Sequence, residues 1–288
     1  MDTSKYKQAL DAHPFKETDD QVTNKAYEII EKHFDENNNK AVYKTIYSCI
    51  DLTTLSSTDN KEKVWKFTEA VNQFEDEHPE LDNVAAICVY PNMVKVVKDT
   101  LIANVGVASV AGGFPSSQTF TEVKIAETAL ALSDGANEID IVNNLGMLFE
   151  EDYEGLTEEI SEIKETCRDA KLKVILETGA LETAENIHKA SILALYSNAD
   201  FLKTSTGKEY PGATYEAAYV MAKAIKSYYG KTGKKVGIKI SGGVRTTEVA
   251  VNYYSIAKEV LGEDWCNKEL FRVGASGLAA TLLEDITA

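Results

Sequence analysis

Nothing in this chain approaches the run of about 20 apolar residues that a bilayer-spanning helix requires, so a membrane protein is not expected. Cysteine is scarce. Cys49, Cys88, Cys167 and Cys266 stand far apart, with no C-x-x-C pair and no neighbouring histidine to complete a zinc site, which predicts free thiols and no metal. The histidines are as few: His13, His33, His78 and His188 show no H-x-x-x-H pairing and lie in polar contexts, so surface positions and no histidine chemistry are expected. Positive charge is in deficit too. A formal net charge of −16 repels nucleic acid and anionic membranes, which both have to be met by a basic face. An anionic ligand must therefore be held by a local basic cluster. The segment from Met1 to Asp20 has neither the basic and apolar regions of a signal peptide nor an arginine-rich transit composition, so a cytoplasmic protein is expected.

Nucleotide-binding motifs are missing as well. No G-x-G-x-x-G follows Ile50, and the Ser205-Thr-Gly-Lys208 stretch fails as a P-loop because Leu202 and Glu209 stand where glycine and Ser/Thr are required. What the chain does have is eight short β-rich apolar runs, each followed by a helical pattern. These are Thr45–Ile50, Val84–Tyr90, Val105–Val110, Asn137–Val142, Leu172–Glu177, Asp200–Ser205, Val236–Ser241 and Leu270–Ala275. Val64, Phe67, Val71 and Phe74 illustrate the amphipathic spacing between them. Eight βα units predict a TIM (β/α)8 barrel, which needs about 250 residues, placed at 44–288. Residues 1–43 are expected to be a helical extension docked on it, with an apolar stripe of Val22, Ala26, Ile29 and Ile30 and an end near Glu36–Asn39.

Strand side chains alternate faces. In Val236–Ser241, Ile238 and Ile240 suit the helix-facing side, leaving Lys239 inward. By the same parity Lys203 points inward from the sixth strand, and Glu138 and Asp140 from the fourth. Barrel interiors are normally apolar, and a buried ammonium is costly unless it loses its proton or meets a carboxylate. Two inward lysines on successive strands fit a nucleophilic pair, in which burial and a neighbouring cation leave one amine neutral and able to attack a carbonyl. A salt bridge between Asp140 and one lysine is the plainer reading, but it leaves the second lysine unexplained.

Three glycine-containing loops leave consecutive strands: Ser205-Thr-Gly-Lys208, Ser241-Gly-Gly-Val-Arg245 and Gly274-Ala-Ser-Gly277. Glycines let backbone N–H groups approach an anion, and the ends of strands seven and eight are where this fold holds phosphate.

At these residues the chain resembles the deoxyribose-phosphate aldolase family. The segments that carry the resemblance are Ile50-Asp-Leu-Thr-Thr-Leu55, Ala85 to Pro91, Gly135 to Asp140, Val174 to Gly179, Ala199 to Lys208, Gly242-Gly-Val-Arg245 and Phe271 to Ser276. The resemblance implies reversible cleavage of 2-deoxy-D-ribose 5-phosphate to acetaldehyde and D-glyceraldehyde 3-phosphate, with no cofactor. It further implies that Lys203 forms a Schiff base, that Lys239 depresses its pKa or shuttles protons, and that Asp140 transfers protons with water. Gly207, Lys208, Gly242, Gly243 and Ser276 would hold the phosphate, and Asp51, Thr53, Leu55 and Cys88 would lie by the substrate; Cys88 reads equally as a small buried filler. Relatives are often dimers, so the resemblance leaves room for a homodimer while the sequence itself does not fix the oligomeric state, and no nucleic-acid or membrane partner is expected. The sequence departs from the family at Gly277, where some members carry serine, in the turn Val142-Asn-Asn-Leu-Gly146, and in ending at Glu284–Ala288 without the tyrosine tail of some relatives. The competing readings are another Schiff-base aldolase or transaldolase, and a catalytically silent sugar-phosphate-binding barrel.

Overall fold

The computed structural model describes residues 5–288, so the first four residues of the expected 1–43 extension lie outside the described residues. Three helices come first: α1 (Lys5–Ala12), α2 (Asp19–Asn37) and α3 (Lys40–Ser48). Then follow β1 (Ile50–Thr53), α4 (Lys61–Glu77), β2 (Ala86–Val89), α5 (Val94–Thr100), β3 (Gly106–Ala111), α6 (Thr121–Ser133) and β4 (Glu138–Val142). The second half continues through α7 (Leu145–Phe149), α8 (Tyr153–Cys167), β5 (Lys171–Ile175), α9 (Thr178–Leu181), α10 (Ala184–Tyr196) and β6 (Phe201–Lys203). It ends with α11 (Tyr215–Thr232), β7 (Gly237–Ser241), α12 (Thr247–Leu261), β8 (Phe271–Ala275) and α13 (Leu278–Thr287). Each strand pairs in parallel with the next and β8 closes on β1. The chain forms the expected TIM barrel.

Local chemistry sets where the helices begin. Asn60, Asp152, Thr183, Thr214 and Thr246 each accept a backbone N–H from the first turn of α4, α8, α10, α11 and α12. Such caps satisfy donors that the helix itself leaves open. In the turn after β4, Asn144 caps α7 by accepting from Met147 N at 3.3 Å.

The first strand differs from expectation. Residues 45–48 of the Thr45–Ile50 run belong to α3, and the division expected after residue 43 falls inside that helix. Asn39 caps α3 by accepting from Ala41 N and Val42 N, and Ile46 and Tyr47 are buried where α3 packs on α12 and α13. A β-branched apolar run looks like a strand until a cap and a helical neighbour claim it. The strand itself starts at Ile50, one residue before Asp51.

The stripe on α2 is as expected: Val22 and Ala26 are buried, Ile29 and Ile30 partly so, and the helix packs on α11 and α12. Two histidines are not surface residues, contrary to expectation. His13 reaches Ser227 Oγ through Nδ1 at 2.7 Å and Tyr196 OH through Nε2 at 3.0 Å. His188 donates to the His13 carbonyl at 2.8 Å and stacks on Phe15. Both are buried, and burial, helped by Lys231 and His188, lowers the pKa of His13 to about 4. They hold the segment between α1 and α2 against α10 and α11. Among the described residues no helix is long and apolar enough to cross a membrane.

Candidate active site

The barrel interior is charged where such interiors are usually packed with branched apolar side chains. Four cations, Lys173, Lys203, Lys239 and Arg272, meet three carboxylates, Asp51, Glu138 and Asp140, and all are buried. Asp140 stands at the centre. Its Oδ2 accepts from Lys203 and Lys239 Nζ, each at 2.8 Å, and its Oδ1 from Lys173 Nζ at 3.0 Å. The plainer reading of one lysine paired with Asp140 does not describe this site. Deeper in the barrel, Arg272 grips Glu138 through two nitrogens at 3.0 and 2.9 Å, donates to Asp51, and lies over the Phe201 ring.

This network separates the lysines. Burial, together with the Lys239 cation, holds the pKa of Lys203 below the ordinary lysine value although Asp140 opposes the shift. Lys239 goes the other way: burial would lower it, but Asp140 and Asp51 outweigh that and raise it. Lys173 is likewise raised, with burial overcome by Asp140, Asp51 and Glu138. Burial would raise Asp140, yet Lys173, Lys203 and Lys239 hold it well below the usual carboxylate range. Three carboxylates offset three cations, so the fourth cation would be buried without a counter-charge. Lys203, whose pKa burial and the Lys239 cation lower, is the member of the cluster least committed to carrying a charge.

Above the cluster, at the C-terminal ends of the strands, lies a cavity of about 480 Å³ lined by Thr53, Leu55, Lys203, Gly207, Lys208, Gly242, Gly243, Arg245, Ser276 and Gly277 among others. Gly207, Gly242 and Gly243 all have left-handed backbones, with φ of 71°, 87° and 88°. A side chain on Gly242 would also strike Gly212, whose Cα would lie 2.8 Å away. The N–H groups of these three glycines have no acceptor among the described residues. Unsatisfied donors around a cavity form a receptacle for an anion. Lys208 Nζ donates to the Leu55 carbonyl and so ties the β6 loop to the β1 loop. A larger groove of about 950 Å³ runs between α6 and α8 near the start of β4 and β5. It holds none of the charged cluster, and chemistry in this fold sits at the opposite end.

The residues singled out from sequence thus separate into levels. Lys203, Thr53, Leu55, Gly207, Lys208, Gly242, Gly243 and Ser276 share the cavity wall. Lys239 and Asp140 lie under it, within hydrogen-bond reach of each other. Asp51 is fully buried among Lys239, Arg272 and Lys173, away from the wall. Cys88 belongs to a small apolar cluster with Leu55, Ala86, Ala108 and Val110, and burial raises its thiol pKa. Sequence reasoning missed Lys173 and Arg272. The alternation that exposed Lys239 would have found both, because Leu172 and Val174 flank one, and Phe271 and Val273 the other.

The chain is similar to known aldolases over most of its length. Residues 45–262 match the profile of the DeoC/LacD family aldolases. Human deoxyribose-phosphate aldolase is 42% identical over 248 residues, which are 82% of this chain and 77% of the human protein. The bovine deoxyribose-phosphate aldolase is 41% identical over 250 residues, 83% of this chain and 77% of the bovine one. Among solved structures, one described as "QR15, an Aldolase" is 30% identical, with a TM-score of 0.69 over 84% of this chain and 96% of the other.

Proposed function

The chain belongs to the DeoC/LacD aldolase family, and on that premise we propose that it is a class I aldolase that reversibly cleaves 2-deoxy-D-ribose 5-phosphate into acetaldehyde and D-glyceraldehyde 3-phosphate through a Schiff base on Lys203. One observation carries the assignment of the nucleophile: among the described residues, Lys203 is the one member of the buried charged cluster that also lines the cavity.

In the cleavage direction the neutral Lys203 amine attacks C1 of the open-chain aldehyde, and loss of water from the carbinolamine leaves an iminium. The C3 hydroxyl then loses its proton and the C2–C3 bond breaks. Its electron pair moves to form the enamine, while C3 becomes the aldehyde of glyceraldehyde 3-phosphate. Protonation at C2 and hydrolysis release acetaldehyde and restore the amine. Asp140, ionised and 2.8 Å from Lys203, is placed to relay these protons through water. Lys239 keeps its charge and helps hold the nucleophile neutral. At the other end of the cavity, the free glycine N–H groups with Lys208 and Arg245 suit the dianionic phosphate.

Borohydride reduction in the presence of acetaldehyde tests this reading. An ethyl-sized mass increase that peptide mapping places on Lys203 is expected. Labelling confined to another lysine would move the nucleophile, and no labelling at all would favour a silent binding barrel.

A further inference from the structure

The carboxylate of Glu177 lies outside the charged cluster and away from the cavity wall, yet it is buried to 2% exposure and held in left-handed backbone, with φ 56° and ψ 59°. A non-glycine residue occupies that region only where its surroundings over-determine it, and such residues gather at functional sites. The surroundings here are the β6 loop. Glu177 accepts from Thr206 N at 3.2 Å and from Thr206 Oγ1 at 2.5 Å, and Thr206 Oγ1 in turn accepts from Lys208 N at 3.2 Å. The next two residues grip the same segment on either side. Thr178 N donates to the Thr204 carbonyl at 2.9 Å, and Gly179 packs so tightly on Pro211 that a side chain there would meet the Pro211 carbonyl at 2.4 Å.

We infer that Glu177 is a positioning residue for the phosphate-binding end of the cavity, acting through Thr206 to set the course of the Gly207–Lys208 backbone. A bare carboxylate beside an incoming dianion would repel it. This one has both oxygens engaged by Thr206 and faces the back of the loop, so its charge goes into fixing backbone direction. Burial raises its pKa while the two Thr206 hydrogen bonds work against that rise. The hydroxyl of Thr206 passes the constraint on: donating to Glu177 leaves a lone pair for Lys208 N. Loss of the carboxylate would free Thr206 to turn, and the glycine N–H groups beyond it would no longer be held in one arrangement before ligand arrives.

The inference rests on the aldolase reading, and its test separates the two. The full-length wild type, Glu177→Ala, Glu177→Gln and Thr206→Val are compared with 2-deoxyribose 5-phosphate and with unphosphorylated 2-deoxyribose, alongside calorimetric binding of inorganic phosphate. In Glu177→Ala the kcat/KM preference for the phosphorylated sugar should fall about tenfold, mostly through KM, and phosphate should bind correspondingly more weakly. Glu177→Gln, which keeps an acceptor for Thr206 N, should recover part of both. Thr206→Val should reproduce the loss, and it serves as the deciding variant if Glu177→Ala does not fold. Equal losses on the two sugars, or phosphate binding unchanged in Glu177→Ala and Thr206→Val, would overturn the inference. If the wild type cleaves neither sugar, the aldolase reading fails, and the phosphate titrations alone still decide the role of Glu177.

Discussion

Lys203 and Lys239 stand opposite one another in the β6–β7 register, and their side-chain nitrogens converge on the same oxygen of Asp140, each at 2.8 Å. One carboxylate oxygen cannot fully compensate two cations in a dry interior. Burial and the neighbouring cation lower the pKa of the lysine that opens on the cavity, whereas Asp140 and Asp51 outweigh burial and raise that of the one that also reaches Asp51.

Replacing Lys239 by leucine removes the cation that lowers Lys203 and leaves Asp140, which raises it, with one claimant fewer. The pKa of Lys203 should rise. Because the reactive form is the unprotonated amine, the pH–rate profile should move to higher pH, and activity at neutral pH should drop at least about tenfold. A profile unmoved by the substitution would mean that burial alone tunes the amine.

Lys208→Ala should act on the phosphate end. Charge-assisted hydrogen bonds contribute about 1.5–3 kcal/mol each, so the preference for deoxyribose phosphate over deoxyribose should shrink by tenfold or more, read as a ratio of kcat/KM values. With a net charge of −16, long-range attraction of the dianion cannot make up the difference. Losses of equal size on both sugars would place Lys208 in the bond-breaking chemistry.

Lys173 offers a test of stability. It is fully buried and touches Asp140, Glu138 and Asp51, so Lys173→Met leaves carboxylates without a partner in the core. Breaking a buried pair by removing one member costs about 3–5 kcal/mol. Urea unfolding should show a loss in that range, and a loss below about 1 kcal/mol would mean that the network redistributes its charge at little cost.

His13 should make the protein acid-sensitive. Its folded pKa, about 4, lies below the ordinary histidine value of 6.5, so the unfolded chain binds the extra proton between these values. The stabilisation is fully present above about pH 6.5 and is lost as pH falls towards 4, amounting to about 3 kcal/mol at the low end. Urea midpoints measured from pH 7.5 to 4 should decline through that window, and those of His13→Asn should decline less. Parallel curves for the two proteins would exclude His13 as the source.

Much of this architecture is legible in the chain because its rules are local. A period of two on β4, β6 and β7 was enough to bring Asp140, Lys203 and Lys239 to one interior, and glycine spacing marked the loops above them. What escaped depends on partners distant in sequence. His13 and His188 read as surface residues because Ser227 and Tyr196, which hold His13, are 214 and 183 positions away. Residues 45–48 read as strand because the surface that makes them helical belongs to α12 and α13. Arg272 and Lys173 obeyed the same alternation as the lysines that were found, but their meaning depends on seeing Glu138 and Asp51 across the barrel.

While Lys203 is a free amine, the remaining cations, Lys173, Lys239 and Arg272, are matched one for one by Asp51, Glu138 and Asp140. In the proposed cycle the iminium ends that parity: its positive charge sits on a nitrogen bonded to carbon and cannot leave until the adduct is hydrolysed or becomes the enamine. A phosphate group at the mouth supplies the opposite sign at the moment the excess appears. The two ends of one small substrate are thereby linked through the field of the barrel, although no side chain connects them. A sugar with its phosphate makes the covalent bond against a compensated background, and one without it does so against an excess of positive charge. Cleavage discharges the nitrogen as the enamine forms; once glyceraldehyde 3-phosphate departs with its charge, the iminium regenerated by protonation at C2 stands without that compensation, which favours its hydrolysis.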